Sequence, residues 1–237
     1  MIEVHTILCR AGKMDNYSYI IIDKETGTSA IIDPSETPPI VEKCNELNIK
    51  PDYILNTHHH FDHTDANLEI KKLYKAKVVA NINDAQRIPG FDVGVEAGKT
   101  FPIGKSIAEI IDVSAHTQGH ILWYFPQDKI LFTGDTLFNL CIGGLFEGNE
   151  EEMFSALQKI KQLPDNTLFY PGHEYTIHGI PMAKRLIPNS QELQQYIQSA
   201  YEKLSQNKPV APVTLGIEKK CNPYLYASSL SELQNIL

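Results

Sequence analysis

The sequence predicts an α/β protein, with helices packed on sheets, that ends in a small, mainly helical segment. Three observations lead there. Short β-rich runs alternate with helical patterns along the first part of the chain, the mixture that builds layered α/β domains. After about residue 174 the β-rich runs stop and helical patterns take over. The chain has 237 residues, 42% hydrophobic and 21% charged, enough for one large domain or one domain with an appendage. The expected division is therefore 1–173 and 174–237.

In chain order, "EVHTIL", "YSYIII" and "TSAIID" read as strands, and "PPIVEKCNEL" as a helix. "DYILNT" is a short buried strand, apolar at Tyr53, Ile54 and Leu55 and preceded by Pro51. The stretch after His63 has apolar Leu68, Ile70 and Leu73, as on one face of an amphipathic helix. "KVVAN", "SIAEIIDV", "HILWYF" and "KILFTGD" are strands. "EEMFSALQKI" is a helix, with Asn149 as N-cap and Met153, Leu157 and Ile160 spaced i, i+4, i+7. "TLFYPG" is the last strand. "IPMAKRLI" and "SQELQQYIQSAYEKLSQ" are helical, and "NKPVAPV" is a Pro-broken loop. There is no internal repeat and no low-complexity segment.

The net charge of −8 argues against a nucleic-acid groove or an anionic membrane surface as partner. The longest aliphatic runs are far too short to span a bilayer. "MIEVHTILCRAGK" lacks a basic start followed by a long apolar run, so no signal peptide is expected. Cys9, Cys44, Cys141 and Cys221 are scattered, with no CxxC pair, and read as free thiols of a reducing cytoplasm.

The densest chemistry is "NTHHHFDH", residues 56–63, which holds four of the nine histidines and an aspartate. Imidazole and carboxylate are the donors that divalent transition metals accept. In extended chain just past a strand, side chains alternate, so His58 and His60 point one way and His59 the other. The first helical turn then aims Asp62 and His63 back toward them. Three more strand ends carry donor residues: His116 in "VSAHTQGH", Asp135 in "LFTGDTLF" after the permissive Gly134, and His173 in "FYPGHEY". Loops beyond strand ends are where α/β sites assemble. Seven donors exceed one tetrahedral site and suit two metals with a shared carboxylate. His58, His60 and His116 would hold one ion, Asp62, His63 and His173 the other, with Asp135 between. Two cations ~3.5–4 Å apart lower the pKa of a water held between them, which predicts hydrolysis. His59 and Arg87 read as backing or loop residues, His120 as a packing residue, Trp123 as core, and His5 and His178 as core or surface.

"THHHFDH", "SAHTQGH", "GDTLF" and "YPGHEYT", in this order, resemble the metallo-β-lactamase superfamily, and within it glyoxalase II, the hydroxyacylglutathione hydrolases. "MDNYSYIIID", "AIIDP", "FEGN" and "TLGIEKKCNPYLY" extend the resemblance over nearly the whole chain. It implies a four-layer αββα sandwich with a small helical C-terminal domain that binds substrate. It also implies a binuclear site of two divalent ions, zinc with iron or manganese as alternatives, on the seven donors with Asp135 bridging. The implied reaction is hydrolysis of S-lactoylglutathione to lactate and glutathione, in methylglyoxal detoxification, by a cytoplasmic monomer. Asp62 would orient the attacking water and take its proton, and Asp135 would serve the same centre.

The chain departs from that pattern where the family holds glutathione's carboxylates. Gly144 stands at a commonly basic position, Phe146 at one often Tyr, and Tyr226 where Arg is usual. Tyr175 remains, and Lys219 and Lys220 are the candidates to substitute. A different thioester, a persulfide dioxygenase of the same fold, a superfamily nuclease or phosphodiesterase, and a non-catalytic metal-binding relative are the competing expectations.

Overall fold

A computed structural model describes residues 1–237. The chain forms two compact units, one of residues 1–112 and 119–128, the other of residues 113–118 and 129–237.

The first unit begins with an antiparallel meander of β1 (Ile2–Cys9), β2 (Asn16–Asp23) and β3 (Ser29–Ile32). Helix α1 (Thr37–Glu46) carries the chain across to β4 (Tyr53–Leu55), parallel to β3. Helices α2 (Phe61–Thr64) and α3 (Asn67–Tyr74) lead to β5 (Lys77–Asn81), parallel to β4, and β6 (Phe91–Val95) follows, parallel to β5. Parallel neighbours require such crossovers, and the strands so covered are apolar at residues 30–32, 54–55 and 78–80. Ile20, Ile31, Ile54 and Val78 of the sheet pack with Ile40 and Cys44 of α1 and Ile70 of α3. A second antiparallel meander consists of β7 (Thr100–Ile103), β8 (Ser106–Asp112) and β9 (Ile121–Phe125).

In the second unit, β10 (Ile130–Gly134) ends in a small hairpin of β11 (Leu137–Phe138) and β12 (Cys141–Ile142). Helix α4 (Glu150–Lys161) crosses to β13 (Leu168–Pro171), parallel to β10. Its start is fixed by a capping box: Asn149 accepts from the Glu152 amide, and Glu152 accepts from the Asn149 amide. Then come α5 (Thr176–Leu186), α6 (Gln191–Ser205), the short β14 (Val213–Thr214) beside β13, α7 (Leu215–Cys221), α8 (Pro223–Tyr226) and α9 (Leu230–Gln234). Ile180, Ala183, Leu193, Ile197, Val210 and Cys221 form their core.

Every strand read from the sequence forms, and five more appear. β6 ("FDVGV") and β7 ("TFPI") carry Asp, Gly and Pro, which mask a strand signal, and β11, β12 and β14 are two residues long. Helix α3 corrects the amphipathic reading. Leu68 and Leu73 are 59% and 54% exposed, and the buried positions there are Ala66, Asn67 and Ile70. The amide of Asn67 is buried because it pairs with Asn56 and the Pro89 carbonyl.

Candidate metal centre

In the first unit, the donors sit where β4 ends and α2 begins. Asn56 pins the turn: its Nδ2 donates to the His63 carbonyl at 3.1 Å, and its own carbonyl accepts from Trp123 Nε1 at 3.2 Å. His58 Nε2 and His60 Nδ1 face each other at 3.1 Å. His59 turns away, its Nδ1 3.4 Å from Asp84 and its Nε2 3.4 Å from Arg87. Arg87 in turn donates its Nε to Asp84 at 3.0 Å, which makes it part of that loop's framework. Asp62 and His63 lie on the single turn α2, buried, with His63 Nε2 3.3 Å from Asp62 Oδ2. His120 is buried and stacks on His58, ring centroids 4.7 Å apart.

Two polar residues outside the seven organise this half. Asp33, just past β3 with φ +47°, accepts from the Thr57 amide at 2.8 Å and the Thr57 hydroxyl at 2.6 Å. Its Oδ2 also lies 3.2 Å from His63 Nδ1. Because Thr57 donates its hydroxyl proton to Asp33, its oxygen accepts from His58 Nδ1 at 3.0 Å. Both rings are thereby held with the proton on Nδ1, leaving the Nε2 lone pairs for a metal. Asp33 belongs to a ligand-like cluster with His58 and His63, but its oxygens are engaged by Thr57 and His63, so it acts behind the donors. Asn16, the first residue of β2, donates its Nδ2 to Asp62 Oδ2 at 2.8 Å and to the Asp62 carbonyl at 3.2 Å. The sequence signal for both was present: "IIDP" and "DNY" place a short polar residue at a strand end.

In the second unit, Gly134 closes β10 with φ +46°, a conformation that suits glycine, and delivers Asp135. Asp135 Oδ2 lies 3.5 Å from His116 Nε2 and 3.2 Å from His173 Nε2. His116 donates Nδ1–H to the Gly144 carbonyl at 2.7 Å, which again leaves Nε2 as the lone-pair nitrogen. Gly143 is required by close approach: a Cβ there would stand 1.9 Å from the Asp135 carbonyl oxygen and 2.8 Å from His116 Nδ1. Phe146, 72% exposed, meets the His116 ring edge-on, with centroids 5.1 Å apart. Tyr175 stacks on His173 at 4.5 Å. Lys219 is engaged elsewhere, donating to the Leu163 carbonyl at 2.6 Å and to Asp165 at 2.5 Å. Lys220 is exposed, 3.9 Å from Glu192, and Tyr226 is exposed. His178 is on the surface and Trp123 is fully buried. No helix is long and apolar enough to cross a membrane.

The donor chemistry fits divalent metal ions: imidazoles, three of them (His58, His63 and His116) with Nδ1 tied down, beside carboxylates. Comparison with known proteins points the same way. Residues 12–173 match a family model described as the metallo-β-lactamase superfamily, and residues 174–236 one described as the hydroxyacylglutathione hydrolase C-terminus. A hydroxyacylglutathione hydrolase of Pelagibacter ubique is 40% identical over 94% of this chain and 92% of its own. One of Rhizobium johnstonii is 37% identical over 100% of this chain and 91% of its own. Among solved structures, ETHE1 from Myxococcus xanthus superposes with a TM-score of 0.75 at 22% identity, covering 99% of this chain and 89% of that one. TTHA1623 in a di-iron-bound form gives 0.67 at 22%, covering 93% of this chain and 100% of that one. These likenesses establish the metallo-β-lactamase fold, with mixed sheets and a helical C-terminal region.

Proposed function

This chain belongs to the hydroxyacylglutathione hydrolase family of the metallo-β-lactamase superfamily, and from that premise we propose that it hydrolyses S-lactoylglutathione and related S-2-hydroxyacylglutathiones to the hydroxy acid and glutathione. His58, His60 and His116 hold one divalent ion in this reading. Asp62, His63 and His173 hold the other, and Asp135 is shared. The observation that supports it is the placement of Asp135: one carboxylate oxygen lies 3.5 Å from His116 Nε2 and 3.2 Å from His173 Nε2, near a donor assigned to each ion. We take the ions to be zinc, which accepts this mixture of imidazole and carboxylate.

Two such ions, when bound, supply positive charge that acidifies a water and stabilises the oxyanion of a thioester under attack. The protein's own groups do the rest. Asp62, held at Oδ2 by Asn16, orients the water and accepts its proton. The departing thiolate needs little acid assistance. Phe146 and Tyr175, packed on His116 and His173, are the proposed substrate contacts. Lys220 keeps an exposed ammonium for a glutathione carboxylate, whereas Lys219 would first have to leave Asp165. We take the enzyme to act as a cytoplasmic monomer.

The test is a panel of thioesters assayed on protein whose metal content is measured on the same sample. Two zinc ions per chain and hydrolysis of S-lactoylglutathione without oxygen consumption are expected. One ion per chain, with oxygen consumed on glutathione persulfide, would replace hydrolysis by persulfide oxidation.

A further inference from the structure

Between Asp135 and Gly143 the chain runs out through the β11–β12 hairpin and back. The turn at its tip is only Asn139 and Leu140, and Leu140 has φ +61°, a left-handed conformation rare for a large side chain. Such a conformation persists only when the surroundings over-determine it. Here they do. Glu218 of α7 accepts the Leu140 amide proton at 3.0 Å. Asn222 donates Nδ2 to the carbonyls of Phe138 at 3.2 Å and Cys141 at 3.1 Å, and to Glu218 at 3.0 Å. Tyr196 of α6 donates its hydroxyl to Glu218 and accepts from Asn139 Nδ2 at 2.7 Å. Gly179 lets α5 close in, since a Cβ there would lie 2.5 Å from the Leu140 carbonyl oxygen.

Glu218, Asn222, Asn139 and Leu140 are fully buried, and the Leu140 amide, the Tyr196 hydroxyl and the Asn222 carboxamide that donate to this carboxylate are neutral groups. An apolar side chain would fill the same space without the desolvation cost of a carboxyl group. What the carboxylate provides is direction: it fixes the hairpin tip by its backbone. The return leg of that hairpin is Gly143 and Gly144, which lie against Asp135 and receive the His116 proton.

We propose that Glu218, with Asn222, is a positioning residue for the metal centre: by holding the hairpin tip, it sets where Gly143 and Gly144 return against Asp135 and His116. The proposal rests on the reading of Asp135 and His116 as ligands. It gives the C-terminal helices a task besides substrate binding, since they would tune a metal site that they do not ligate.

The experiment uses full-length protein loaded with cobalt(II). Glu218→Gln is isosteric and turns one accepting oxygen into a donor that meets other donors. Asn222→Leu removes the grip on the two carbonyls. Leu233→Ala, on the buried side of α9, is a control matched for loss of thermal stability. The visible spectrum, cobalt stoichiometry and rate of cobalt loss to a chelator are recorded for each. The two clamp variants are expected to lose cobalt at least tenfold faster than the parent and to show shifted d–d bands, while the control matches the parent. Parent-like spectrum and release in Glu218→Gln, or equal acceleration in the control, would overturn the positioning role. A parent that binds no cobalt overturns the ligand assignment, and the positioning role falls with it.

Discussion

Exchanging Asp33 for Asn alters no shape, yet it converts one accepting oxygen into an NH2 group at the point where two histidines proposed as ligands are oriented. Oδ1 of Asp33 serves the Thr57 amide, and Oδ2 serves the Thr57 hydroxyl and His63 Nδ1. If the new oxygen keeps the amide, the NH2 group faces the hydroxyl and His63. Thr57 must then turn its oxygen toward the NH2 and give its proton to His58 Nδ1. His58 and His63 both move their protons to Nε2, the nitrogens meant for metal. If the carboxamide flips instead, the histidines are spared but a buried amide loses its acceptor, at about 1–3 kcal/mol. Partners behind metal ligands typically contribute 10–100-fold in metal affinity. That is about 1.4–2.8 kcal/mol for each ion. Because His58 and His63 are assigned to different ions, both affinities should fall. Zinc competition with a chromophoric chelator, beside circular dichroism to confirm the fold, measures this. Unchanged affinity at both ions with no loss of unfolding stability, or affinity loss confined to one ion, would refute the argument that a single carboxylate sets both tautomers.

Gly143→Ala should move Asp135 or His116 by about 1 Å, at an overpacking cost of about 1–3 kcal/mol, and cut thioesterase activity more than tenfold in protein that remains folded by circular dichroism; parent-level turnover would show that the approach is slack. Burial pushes the Glu218 carboxyl up from 4.5 to about 7. A raised folded-state pKa gives stability that is complete below the unfolded value and is lost as pH rises through the folded one. Between pH 4.5 and 7 the metal-free parent should therefore lose about 3 kcal/mol relative to Glu218→Gln, as read by urea unfolding at a series of pH values; a pH-independent difference would contradict it. Gly144→Lys adds a Cβ that meets only the Phe146 ring, at 3.4 Å. An exposed ion pair of up to about 1 kcal/mol should lower KM for a glutathione thioester about fivefold with kcat unchanged; equal improvement with an uncharged thioester would rule out carboxylate pairing.

The outline of the fold was legible because its signals are local. Alternation past β4 separates His58 and His60 from His59, and Asn149 announces α4 three residues before Glu152 completes the cap. The supporting groups are not local. Asp33 meets Thr57 and His63 across 24 and 30 positions, and no periodicity encodes a hydrogen bond of that span. Glu218 was hidden for another reason. It stands next to Lys219 and Lys220, and only the packing of α6 and the hairpin takes it out of water. Lys219, a candidate anchor for substrate, has its ammonium held by the Leu163 carbonyl and Asp165.

The hairpin tip at Asn139 and Leu140 is gripped by residues that the ribosome makes long after it. All seven donors have been synthesised by His173, whereas Glu218 and Asn222 emerge later, a delay of seconds at ~5–20 residues per second. If the clamp sets the return of Gly143 and Gly144, a nascent chain carries a complete set of ligands that cannot yet hold metal firmly. A stalled chain ending before residue 218 should release cobalt like the Glu218→Gln variant. Birth order then sets the timing: firm retention of metal begins only once α7 has been made and has reached the hairpin.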